Sequence, residues 1–169
     1  PKLMPQPAQV LWNNREGRFL DMSDRAGPFF ARPRVGRGLA CADYNQDGRI
    51  DAAIITHGEP ATLLRNDTPR TGHWLGVRLR GTASNRFGIG ARIRVQTAVR
   101  DYCQQRVLGA SYLSSDSYTS HFGLGETSTV DAVEVTWPSG RVSRAENLSV
   151  DQCVTLEEPT IPTENLEPT

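Results

Sequence analysis

Apolar and polar residues alternate with a period of two through most of the second half of the chain. The pattern runs through Trp74-Leu75-Gly76-Val77-Arg78-Leu79-Arg80, Ala91 to Gln96, Tyr102 to Leu108 and Val130 to Trp137, with Val142 and Val154-Thr155-Leu156 as closing strands. Such alternation buries one face of a strand and wets the other, which predicts a small antiparallel sandwich or barrel. Pro138-Ser139-Gly140 predicts the hairpin turn after the Trp137 strand. In the first half, Gly38 to Ala42 and Ala52 to Thr56 are short, apolar and partly β-branched, and predict two buried strands joined by a loop. Leu11-Trp12-Asn13-Asn14 is echoed by Leu63-Leu64-Arg65-Asn66. A spacing of about 50 residues is that of one blade in a repeat array, an architecture that needs at least about three units to bury its sheet faces. Turn residues crowd into Asn66 to Gly72, so a boundary is expected near Gly72. The expected plan is all-β: a linker over residues 1–10, a repeat over 11–71, a β-domain over 72–157 and a disordered tail over 158–169.

The loop between the first two strands carries the most specific chemistry. Asp43, Asn45, Asp47 and Asp51 alternate through Asp43-Tyr44-Asn45-Gln46-Asp47-Gly48-Arg49-Ile50-Asp51, with Arg49 as the seventh residue of the run. Ca²⁺ takes roughly six to eight hard oxygen ligands at about 2.3–2.6 Å, and a glycine lets such a loop turn sharply. Gly48 is placed to do so, and the expected Ca²⁺ residues are Asp43, Asn45, Asp47, Arg49 and Asp51. An EF-hand is not expected, because the position for its bidentate glutamate holds Ile54.

Composition narrows the partners. The 169 residues carry a formal net charge of zero, which argues against a general nucleic-acid binder resting on a basic face. No apolar run approaches the roughly 18 residues needed to span a bilayer. Lys2 is the only lysine, so the positive charge is arginine, a residue suited to bidentate recognition of carboxylate or sulfate. Arg78, Arg80, Arg92, Arg94 and Arg106 fall at alternate strand positions and are expected on a wet sheet face, which would suit an acidic glycan or a carboxylate-bearing partner. Cys41, Cys103 and Cys153 have no metal-type spacing, and a Cys103–Cys153 bridge is open in an oxidising compartment.

Blocks of residues along both halves resemble the cartilage acidic protein family, in which FG-GAP (VCBS-like) repeats precede an ASPIC/UnbV domain. Leu11 to Asn14, Gly17-Arg18-Phe19, Gly36-Arg37-Gly38 and the Asp43 to Asp51 loop are similar to one FG-GAP unit. Asn85 to Arg92, Gly109 to Ser115, His121-Phe122-Gly123-Leu124-Gly125 and Val135 to Gly140 are similar to the ASPIC/UnbV signature. The resemblance implies a β-propeller with calcium in its blade loops and a β-domain at its C-terminal end. On that view the chain holds the last complete blade and packs against preceding blades that it does not contain.

No catalytic constellation emerges. Ser111, Ser114, Ser115, Asp116, Ser117 and His121 lack a nucleophile elbow and are expected to bond local backbone, with His121 packed in a turn and hydrogen-bonding a carbonyl. The glycines of Asn85 to Gly90 are expected to supply unusual backbone angles rather than a phosphate loop. Two functional readings remain. The first is an exported, extracellular or periplasmic calcium-binding module with a protein or glycan partner. The second, which rests on the UnbV resemblance, is an enzyme or accessory protein of microbial secondary metabolism with a cleft lined by Arg92, Arg106, Tyr112, Asp116 and His121.

Overall fold

The computed structural model describes residues 4–14 and 16–160. The chain is all-β, with two short 3-10 turns at Ser23–Arg25 and Pro28–Ala31. Strands β1 (Leu11–Asn13) and β2 (Phe19–Asp21) form a hairpin, and β3 (Gly36–Ala42), β4 (Asp51–Thr56) and β5 (Thr62–Leu64) form an antiparallel sheet in that order. The rest of the chain builds two further sheets. One has the order β12-β6-β9 from Gln152–Glu157, His73–Arg80 and Thr119–Gly125. The other has the order β11-β10-β7-β8 from Val142–Ser149, Thr129–Thr136, Arg92–Gln96 and Asp101–Gln105.

These last two sheets share one core. Leu75, Val77 and Leu79 of β6 and Phe122 and Leu124 of β9 meet Ile93 and Val95 of β7 and Val133 and Val135 of β10 in a single buried cluster, closed by Trp137. The alternation along each strand explains the set, because every second side chain faces inward. Trp137 satisfies its own polar atom there: its Nε1–H donates to Ser143 Oγ at 2.7 Å. At Gly88 the backbone takes a φ of 63°, and a Cβ would lie 2.5 Å from Leu79, so glycine is required under the core as well as at the turn.

The first part is built differently. No buried apolar side chain among the described residues precedes Leu75. On one face of its three-stranded sheet, Ile55 and Leu63 are about half exposed, at 49% and 54%, and Trp12 and Phe19 of the hairpin are more so. A sheet this small cannot bury both of its faces by itself.

Several expectations are corrected. The closing strand β12 pairs parallel to β6, not antiparallel, because the β11–β12 connection carries the chain from one sheet to the other. The strand expected over 102–108 ends at Gln105, and Arg106 turns inward. The five arginines share no wet face: Arg78 and Arg80 lie exposed on β6, Arg92 and Arg94 on β7 of the other sheet, and Arg106 is buried. Cys103 and Cys153 stand on strands of different sheets, and all three cysteines are free thiols. The tail expected from residue 158 begins with a buried residue, since Glu158 is only 2% exposed and accepts three backbone N–H groups and two hydroxyls. Residues 161–169 of that tail lie outside the described residues.

Burial pushes the Glu158 carboxyl up, but the hydrogen bonds from Ser139, Ser84 and Thr82 outweigh it and hold the group at about 2, below its ordinary 4.5. A carboxyl depressed in the folded state contributes stability that is present above its unfolded value and lost as pH falls through the folded one. The loss of stability between pH 4.5 and about 2 is therefore expected to be shallower in Glu158→Gln than in the wild type, when thermal unfolding is followed across that range.

Candidate metal loop and the sheet face that holds it

Residues 43–50 connect β3 to β4 and are shaped by their own carboxylates. Asp43 Oδ1 accepts the N–H of Asp47 at 3.0 Å, and its Oδ2 accepts that of Gly48 at 2.8 Å. Asp47 Oδ1 accepts the Arg49 N–H at 2.9 Å. Asp51, 2% exposed, takes the N–H of Tyr44 on one oxygen and that of Asn66 on the other, tying the loop to the segment after β5. These bonds satisfy main-chain donors that have no ladder partner. Gly48 adopts the expected left-handed conformation at φ 86°.

The donor chemistry fits a hard cation, since Asp43, Asn45 and Asp47 place oxygen-bearing side chains in one turn, and Arg49 adds a backbone carbonyl. The arrangement does not present them as a finished shell. Asn45 Nδ2 donates to Asp47 at 2.7 Å, and the Arg49 guanidinium sits on the same carboxylate at 2.6 Å. Asp51 is turned to backbone N–H groups, and among the described residues no three His, Cys, Asp or Glu side chains converge as a metal cluster.

The outer face of β6 and β9 receives this loop. Gly48 lies against the indole of Trp74 so closely that a Cβ would fall 2.2 Å from Trp74 Nε1. The Trp74 ring stacks on His121 at 5.5 Å between centroids and 7° between planes. His121 Nε2 lies 3.0 Å from the Gly48 carbonyl, which fixes the tautomer with hydrogen on that nitrogen, because a carbonyl can only accept. Burial pushes the His121 pKa down, with the Gly48 bond acting against it. A cavity of about 230 Å³ remains between loop and sheet, lined in part by Cys41, Asp43, Gln46, Arg78 and His121.

Two further ties hold the same junction. The edge of β3 is covered by the loop before β9: Cys41 N–H donates to Asp116 Oδ1 at 2.8 Å, and Ser117 N–H donates to the Cys41 carbonyl at 3.0 Å. Covering an edge in this way removes a row of unpaired donors and acceptors. Asp151, between β11 and β12, accepts His73 Nδ1 at 2.8 Å and the Trp74 N–H at 3.2 Å, and pairs with Arg70 at 2.6 Å. It thereby clasps the segment that enters the second part.

The cleft expected for an enzyme does not form. Arg92 and Tyr112 are exposed, Arg106 is buried with its Nη2 on the Ser117 carbonyl at 2.9 Å, Asp116 holds Cys41, and of the five residues only His121 lines the junction cavity. The carbonyl partner expected for His121 is found, but the residue lies within strand β9 rather than in a turn, and the parts played by Trp74 and Asp151 were not foreseen. An aromatic residue at a polar position of an alternating strand was the available signal for Trp74.

The second part also matches a known family. Residues 81–163 fit the family model described as ASPIC and UnbV. Those residues place the second part of the chain in the ASPIC and UnbV family. The chain is 34% identical over 117 residues to cartilage acidic protein 1 of Mus musculus, covering 65% of this chain and 18% of that protein. Identity to cartilage acidic protein 1 of Homo sapiens is 33% over 113 residues, covering 63% of this chain and 16% of the relative. The match to the ASPIC and UnbV model begins at Gly81, directly after β6, and runs past Glu158.

Gly48→Ala is expected to destabilise the protein by about 1–3 kcal/mol, combining the left-handed backbone penalty with a clash against the Trp74 ring. Urea unfolding followed by tryptophan fluorescence checks it, and an unchanged midpoint would show that Gly48 is not seated on the indole.

Proposed function

We propose that this chain is a non-catalytic, exported interaction module: the closing blade of an FG-GAP-type repeat array joined to an ASPIC and UnbV sandwich. The observation that carries the reading is the exposed apolar surface of the first part, where Trp12, Phe19, Ile55 and Leu63 lie open and no buried apolar side chain among the described residues precedes Leu75. Neighbouring repeats or a protein or glycan partner would cover such faces. The similarity to cartilage acidic protein 1 supports an extracellular or periplasmic setting. Under this reading the apolar face binds anilinonaphthalene sulfonate in the native state. The double variant Ile55→Ser, Leu63→Ser is expected to lose most of that fluorescence with little change in melting temperature, and a native chain that does not bind the dye would count against the reading.

In the same proposal the Asp43 to Asp51 loop takes one Ca²⁺ through Asp43, Asn45, Asp47, Asp51 and the Arg49 carbonyl. The metal's role is structural, adding a fixed positive charge among carboxylates that already order the turn. The Arg49 guanidinium is the group that a cation must displace from Asp47. Calorimetric titration is expected to show one site per chain, lost in Asp47→Ala. Arg49→Ala is expected to bind about 2–5-fold more tightly, the modest gain of freeing Asp47 from a solvent-screened ion pair. Absence of any heat with the wild-type chain sinks the calcium assignment and leaves the interaction reading to stand on the apolar faces.

A further inference from the structure

The hydrogen bonding around Glu158 goes beyond what is needed to end a strand. Its N–H donates to the Arg80 carbonyl at 2.9 Å, extending the parallel β12–β6 ladder by one residue. Its side chain then turns under the loop that follows β6. There Oε2 accepts three successive backbone N–H groups, from Thr82 at 2.8 Å, Ala83 at 2.8 Å and Ser84 at 2.7 Å. Oε1 accepts the hydroxyls of Ser84 at 2.8 Å and Ser139 at 2.5 Å. The cradle is braced from outside: Gly81 N–H donates to the Arg86 carbonyl at 3.0 Å, and Ser139 N–H donates to Ser84 Oγ at 3.2 Å. Gly81 is itself packed so tightly that a Cβ would lie 2.2 Å from the Asn85 carbonyl oxygen.

No arginine, lysine or histidine of the described residues pairs with this buried carboxylate. Its charge is met by convergent N–H dipoles and hydroxyls, the arrangement by which backbone nests bind anions. Five donors on two oxygens leave little unused acceptor capacity on a carboxylate. A sulfate or phosphate would bring further oxygens into a site with no more donors, and buried unpaired acceptors are costly. A halide is a single acceptor centre and cannot meet both the three N–H groups and the Ser84 and Ser139 hydroxyls.

We propose that the 82–84 turn together with Ser139 is a carboxylate receptor, filled in this chain by its own Glu158. The receptor recognises the planar two-oxygen anion itself and thereby fixes the path of the chain as it leaves the last strand. It is independent of the metal loop and of the exposed apolar faces. The ligand class is a monocarboxylate, whether supplied by a side chain or free in solution.

The test is chemical rescue of Glu158→Ala, which removes the CH₂–COO⁻ end of the side chain and leaves a vacancy that matches acetate. The variant is expected to melt well below the wild type in chloride. Acetate should raise its melting temperature in a saturable manner and recover at least half of the loss, while leaving the wild type unmoved at the same ionic strength. Formate should rescue less, and chloride and sulfate not at all. Adding Ser139→Ala should weaken the acetate midpoint by about tenfold, the loss expected for one hydrogen bond to a charged group. If Glu158→Ala is unfolded in chloride, acetate-dependent folding followed by circular dichroism reads the same site. Glu158→Gln, whose amide still fills the cradle, should show no acetate response. A Glu158→Ala protein as stable as the wild type, or one that acetate stabilises no more than chloride does, overturns the proposal.

Discussion

The contact on which the molecule's organisation depends is that of Gly48 with Trp74 and His121. A glycine in a left-handed turn presents a bare backbone to the indole, and the histidine stacked on that indole donates to the glycine's carbonyl. Any side chain at position 48 would collide with the ring, so the loop's shape and its seat are specified by one residue. The carboxylates of Asp43, Asp47 and Asp51 make that shape by accepting main-chain N–H groups. The loop is therefore folded by its own hydrogen bonds, and a cation there would exchange with Arg49 rather than create the turn.

The two parts are stabilised by different means. The two sheets after residue 72 enclose an apolar cluster in which Leu75, Val77, Val95, Val133 and Val135 are wholly buried, and burial of that kind supplies most of a small domain's stability. The first part has no such cluster among the described residues and leans on its neighbour through the loop seat, the covered β3 edge and the Asp151 clasp. Carboxylates carry two of these ties, through Asp116 and Asp151, and shape the loop that makes the third. The Glu158 cradle carries the same device to its limit, with both oxygens committed to backbone N–H groups and hydroxyls.

What could be read in the sequence was local. Alternation located β6, β7 and β10 and chose their inward faces, because strand periodicity is a property of neighbouring residues. Gly48 and Gly88 announced turns that need positive φ, and His121 beside a glycine-rich run did find a carbonyl. The missing information was long-range. Arg106 looked exposed because the alternation continues past the true end of β8 at Gln105, where the chain turns beneath Tyr118. The arginines looked like one face because sequence does not say which strands share a sheet. Glu158 looked like tail because it opens an acid- and proline-rich segment, and its partners are backbone groups some seventy residues earlier, which no side-chain pattern marks.

Hydrogen–deuterium exchange on the wild type and on His121→Ala tests directly whether the loop and the sheet face behave as a unit. The account predicts that residues 41–51 and the segment around Ser117 lose protection together in the variant, while the β7 and β10 core stays protected. Protection of the loop that is unchanged by removing His121 would contradict it.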